Sequence, residues 1–162
     1  MAELTTLEEK LGEVTGLAMA AQGAVDKISG LVEDNDLKQT LERMAREARE
    51  TEERCTQLAE DLDGKKTAVL DKARETKQEA TEMMRTYLGS DAEGLDGFEF
   101  LTMAEAGEVG HWEILGVLGD KAGKSDVQEL VQWAVPIQQR HFDEARQGSL
   151  KLASEEDPNE TG

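Results

Sequence analysis

From Leu4 to Val32 apolar residues return every three or four positions: Leu4, Leu7, Leu11, Val14, Ala18, Ala21, Val25, Ile28 and Val32. Steps of three and four lay a single stripe along an α-helix, whereas a strand repeats every two residues. A stripe this long must be covered by another element, so the chain has to pack helix on helix. The spacing recurs at Leu37, Leu41, Met44, Ala48, Thr51, Cys55, Leu58 and Leu62. It returns from about 65 to 88, with Val69, Ala73, Ala80, Met83 or Met84, and Tyr87 on one side. A fourth stripe reads Leu101, Ala104, Glu108, His111, Leu115, Leu118, and a fifth Val131, Ala134, Gln138, His141, Ala145, Gly148, Leu152. Only two prolines interrupt the 162 residues. The expected class is all-α, with one bundle over 1–153 and a polar tail over 154–162.

Helix ends are read from side chains that satisfy free backbone groups. Thr6-x-x-Glu9, Asp36-x-x-Gln39 and Asp96-x-x-Glu99 have the spacing of capping boxes, and Ser125-x-x-Gln128 opens the last helix. Gly64 suits a left-handed C-terminal cap. Pro136 inside the last helix predicts a kink one turn before His141. Length then limits topology. At about 1.5 Å per residue the second helix spans roughly 40 Å and the 65–88 helix roughly 36 Å. The latter is long enough to run back along the whole bundle as a crossover, leaving the second and fourth helices parallel.

The formal net charge of −18 argues against binding a phosphate backbone or an anionic lipid surface, which both require clustered Lys and Arg. No apolar run approaches the roughly 20 residues of a membrane span. The acidic start "MAELTTLEEK" does not read as a signal peptide, and Cys55 is the one cysteine. The expectation is a cytoplasmic protein. "LGSDAEG" lacks the lysine and preceding strand of a phosphate-binding loop.

The polar residues on the last two stripes carry what chemistry the sequence offers. Both histidines of the chain lie there, each three residues after Glu108 or Gln138, and residues three apart share a helix face. With the turn centred near 122–123, Glu108 falls beside Gln138, His141 faces Ala104 and His111 faces Ala134. The two rings are then about 10 Å apart along the axis. Counting across the first turn puts Gln22 level with Glu47, with Glu50 three residues on. Iron and manganese sites in bundles use carboxylates and a few imidazoles from facing helices. A neutral histidine hydrogen-bonded to Gln or Glu equally makes a polar layer that holds register. Cys55 reads as a small buried apolar residue, the Met83-Met84 pair as packing, and Trp112 and Trp133 as stripe-edge or interface residues.

Val109-Gly110-His111-Trp112-Glu113-Ile114, the crossover "GKKTAVLDKARETKQEATEMMRTYLG" and the helix order together resemble the ferritin-like superfamily, in particular small bacterial stress-response bundles related to rubrerythrin. The resemblance implies a four-helix bundle with a long helical crossover between the second and third core helices. It also implies metal positions at Gln22, Glu47, Glu50, Glu108, Gln138 and His141, with His111 beside them. Glutamine stands at two positions where the family has glutamate, and Glu50 where it has histidine. Two readings follow. One is a stress-associated bundle with a reduced or atypical site for iron or manganese rather than zinc. The other is a non-catalytic interaction module whose Glu/His/Gln layer is structural. A homodimer burying Trp112 and Trp133 at its edge is the expected assembly.

Overall fold

The computed structural model describes residues 2–161, and these form five helices and no strand. They are α1 (Thr6–Ser29), α2 (Asn35–Glu60), α3 (Lys66–Tyr87), α4 (Gly94–Ala122) and α5 (Ser125–Ser154). No helix among the described residues is long and apolar enough to cross a membrane.

The caps sit one to three residues earlier than the spacing suggests. Thr5, not Thr6, caps α1: its hydroxyl accepts from Glu8 N at 3.2 Å, and Glu8 Oε2 accepts from Thr5 N at 2.8 Å. Asp34 rather than Asp36 caps α2, accepting from Leu37 N at 3.0 Å. In α4 the box is Glu93 with Asp96, and α5 opens after Lys124 with no side-chain cap. Each true cap has an alternative Thr, Asp or Glu within three residues, so spacing alone cannot separate them. Gly64 and Gly123 hold φ of +71° and +65°, the left-handed region that a side chain would strain.

Side-chain pairs fix the directions of the helices. Gln22 meets Glu52, and Val25 and Ile28 share a cluster with Leu37 and Leu41, so α1 and α2 are antiparallel. His111 lies near Glu13 and Gly97 against Ile28, so α4 is also antiparallel to α1. α2 and α4 therefore run the same way. Between them α3 runs parallel to α1, with Gly12 against Val69 and Lys72, and Gly16 against Ala73 and Thr76. α4 and α5 pack antiparallel, with Thr102 Oγ1 3.0 Å from Ser149 Oγ. Arg43 with Glu144, and Arg140 with Glu47, tie α2 to α5.

The interior has two apolar clusters. One gathers Val25, Ile28, Leu41, Met44, Phe98 and Leu101; the other Leu11, Val14, Cys55, Leu58, Trp112 and Leu115. Burying a side chain such as Leu, Ile or Phe contributes about 1.5–3 kcal/mol. The first two stripes read from the sequence are buried except near their ends. The fourth is displaced. The inner face of α4 is Phe98, Leu101, Glu105, Glu108, Trp112, Leu115 and Gly119, not the line through Ala104, His111 and Leu118. Both lines step by three and four. The indole of Trp112, only 1% exposed, takes the core place, and His111 is left 41% exposed at the α1–α4 edge. Trp112 is thus buried within the chain, not available at a dimer edge. Trp133 lies under Arg54, whose guanidinium is 4.2 Å from the ring centroid.

Candidate functional site

Between the two apolar clusters lies a polar layer. Glu105, Glu108, Gln138 and His141 are between 1% and 5% exposed. α4 supplies the two carboxyls, three residues apart on one face, and α5 supplies the amide and imidazole in the same spacing. With its amide oriented to satisfy its neighbours, Gln138 donates to Glu105 Oε2 and to Glu108 Oε2, each at 3.0 Å. His141 Nδ1 lies 3.8 Å from Glu105 Oε2, and its Nε2 lies 3.2 Å from Glu47 Oε1 on α2. The result is one continuous series across the bundle: Glu47, His141, Glu105, Gln138, Glu108.

Charge is unevenly distributed along that series. At the α2–α5 end, Glu47 is paired with Arg140 and lies 3.6 Å from Arg43 Nε, while Arg140 Nε is 3.4 Å from Glu144. Burial acts to raise the Glu47 pKa, but hydrogen bonds from Arg140 and His141 outweigh it and hold the carboxyl below its ordinary value. Glu144 stays above its ordinary value, because burial there outweighs the attraction of Arg43 and Arg140. At the other end no lysine or arginine pairs with Glu105 or Glu108 among the described residues. Burial pushes Glu105 up to about 8. Glu108 rises well above its ordinary value through burial and then repulsion from Glu105. Both carboxyls therefore favour the protonated form more than an exposed carboxyl does. His141 is held below the ordinary imidazole value, first by burial, against the pull of Glu47.

Of the residues expected at a metal site, the structure brings together Glu47, Glu108, Gln138 and His141. It does not bring in the others. Glu50 is exposed and paired with Arg54 at 3.1 Å. Gln22 donates to Glu52 at 2.6 Å. His111 Nδ1 donates to Gly107 O at 2.8 Å on its own helix. Glu105, absent from the expected set, is central. The signal for it was the 101-105-108-112-115-119 line, whose member Trp112 outweighs His111 in apolar surface.

This arrangement does not fit a ferritin-type two-ion centre. Such a centre needs carboxylates from several helices that are free to bridge. Here α1 contributes none to the layer, the α2 carboxylate is already paired with Arg140 and its other oxygen faces His141, and the Gln138 amide joins the α4 carboxyls. Among the described residues no three His, Cys, Asp or Glu side chains are grouped to hold a metal ion.

The Glu105–Glu108 end opens onto a groove. α3 and α4 approach one another where Tyr87 meets Phe100, with ring centroids 5.8 Å apart. Beside that contact, with Phe100 in its lining, a cavity of about 700 Å³ lies between α1, α3 and α4. Leu17, Ala20, Ala80, Met84 and Ala104 line it, Glu105 and Glu108 lie at its inner side, and His111 and Lys77 complete the lining.

Compared with known proteins, the chain matches no family model and no curated protein sequence.

Proposed function

We propose that this chain is a ferritin-like bundle working as a non-catalytic binding module, with the Glu/His/Gln layer holding its helices in register. The architecture supports the ferritin-like part: α2 and α4 run the same way, with the long α3 returning between them as a crossover. One observation carries the functional part. Arg140 is paired with the carboxylate of Glu47 that a bundle metal centre would use, with Arg43 3.6 Å from it, and Gln138 joins the other two carboxyls as a neutral donor. A layer linked in this way fixes which residues face one another, because any slip along the helix axes separates these buried polar partners.

The test is metal retention. Protein incubated with Fe(II), Mn(II) or Zn(II) and desalted is expected to hold no stoichiometric ion, and its melting temperature is expected not to rise. A stoichiometric ion that raises the melting temperature, and is lost in Glu105→Gln with His141→Ala, would establish the metal-binding reading instead. Loose uptake that survives those replacements is general attraction to a chain of charge −18.

A further inference from the structure

We propose that the groove between α1, α3 and α4 binds a small cationic amphiphile, an apolar body carrying a primary ammonium, whose head seats at Glu105 and Glu108. The inference deepens the binding-module reading and rests on it. The space comes from the helix packing. Gly12 and Gly16 let α3 lie close on α1 at one end, and α3 meets α4 at Tyr87 and Phe100 at the other. The cavity left between them, about 700 Å³, falls in the range of small-molecule sites, roughly 300–1,000 Å³. Alanines, Leu17 and the adaptable thioether of Met84 make its walls suited to an alkyl or ring body.

The inner side selects the head group. Gln138 donates to Oε2 of each carboxyl, and Oε1 of each accepts no hydrogen bond from the described residues. Both side chains are at least 95% buried and lack a cationic partner. A primary ammonium brings three donors for those oxygens and a positive charge beside which the carboxyls ionise. The wider charge agrees: the chain carries −18, and Glu52 also borders the groove. An anionic amphiphile would meet repulsion at both levels, and Lys77, the basic residue of the lining, is exposed.

The walls are also left open at some cost. Gly23 and Gly107 lie inside α1 and α4 and line the groove, and a Cβ at either would meet nothing within 4 Å. Glycine in a helix interior costs about 0.5–1 kcal/mol relative to alanine. Larger residues would both fit and favour the helix, and they would fill the groove.

The experiment is calorimetric titration of the full chain with dodecylammonium below its micelle concentration, beside butylammonium, dodecanol and dodecanoate. Saturable one-to-one binding of dodecylammonium is expected, with the other three at least about 10-fold weaker, since each lacks the tail, the charge or its sign. Glu105→Gln with Glu108→Gln should weaken binding at least about 10-fold. Gly23→Leu with Gly107→Leu should remove it while the helical circular dichroism and melting temperature hold or rise. Absence of saturable binding, equal binding of dodecanol or dodecanoate, or binding that survives the leucine pair would each overturn the proposal. Failure here with no metal retained leaves the binding-module reading standing, whereas specific metal retention overturns that reading directly.

Discussion

His141 Nε2 lies 3.2 Å from Oε1 of Glu47, with the ring buried and the carboxylate partly in solvent. A carboxylate held ionised by Arg140 can only accept, so the ring proton sits on Nε2 and Nδ1 is left as an acceptor toward Glu105. Burial keeps the ring neutral more strongly than Glu47 draws a proton to it, and Arg140 and Arg43 oppose a second positive charge. The expected result is a neutral, Nε2-protonated His141 at pH 7, with a midpoint below the ordinary imidazole value. Nitrogen-15 NMR of the imidazoles reads both tautomer and midpoint. A charged ring at pH 7, or one protonated at Nδ1 alone, contradicts this geometry.

The carboxyl pair sets an unusual pH dependence of stability. Glu105 and Glu108 have folded pKa values above those of the unfolded chain, so the folded state binds more protons than the unfolded one once pH exceeds the ordinary value of 4.5. Their contribution is fully present below 4.5 and is lost as pH rises, for Glu105 up to about 8. His141 acts the other way: its depressed pKa means that stability is lost as pH falls through the unfolded value of 6.5. Two carboxyls against one imidazole leave the net slope negative from about pH 6 to 8. Thermal melts should give a higher melting temperature at pH 6 than at pH 8.5, and Glu105→Gln with Glu108→Gln should flatten most of that difference. Equal melting temperatures in the wild type would show that the pair is not buried as described.

The helices were legible because period and length speak directly to packing. The stripes of α1 and α2 are apolar almost throughout, and burial follows them from Leu11 to Val32 and from Leu37 to Leu58. The register of α4 on α5 was legible too, since a short turn fixes which residues are level, and Gln138 does stand beside Glu108. The rotation of α4 about its own axis was not. Glu105-Glu108-Trp112 and Ala104-Glu108-His111 are both three-and-four lines, and only the neighbours decide between them. Val14, Leu58 and Val127 belong to the same buried cluster as Trp112, which is 1% exposed. That turned His111 to the rim and drew Glu105 inward. The pairs Arg140–Glu47 and Arg43–Glu144 were missed for another reason: their members lie 93 and 101 positions apart in the chain, beyond what spacing can reveal.

Gln138 separates a satisfied layer from a stranded one. It is the donor shared by Glu105 and Glu108, so Gln138→Leu leaves both carboxyls buried without that bond. Losing one partner of a buried polar group costs about 1–3 kcal/mol. Replacing Glu105, Glu108 and Gln138 together by Leu removes the groups rather than stranding them, and should recover most of the loss. Urea denaturation at pH 6 measures both variants. A triple variant no more stable than Gln138→Leu would mean that the layer contributes net stability beyond its own satisfaction.

Two helix-interior glycines should answer alanine with opposite signs, because one lies in open space and the other under a neighbouring helix. A Cβ at Gly110, on the outer side of α4, meets nothing within 4 Å. Gly110→Ala should then show the intrinsic helix preference, about 0.5–1 kcal/mol, or roughly 1–4 °C in melting temperature for a chain of this size. A Cβ at Gly16 would collide with the carbonyl oxygen of Ala73 and come within 2.7 Å of Thr76 Cβ on α3. The carbonyl belongs to backbone and cannot turn aside, so Gly16→Ala must push α3 off α1 and lower the melting temperature despite the better helix former. Thermal circular dichroism of the two variants checks the pair. If Gly16→Ala melted at or above the wild type, α3 would not lie on α1 at this distance, and the groove that α3 helps to enclose would lose its wall.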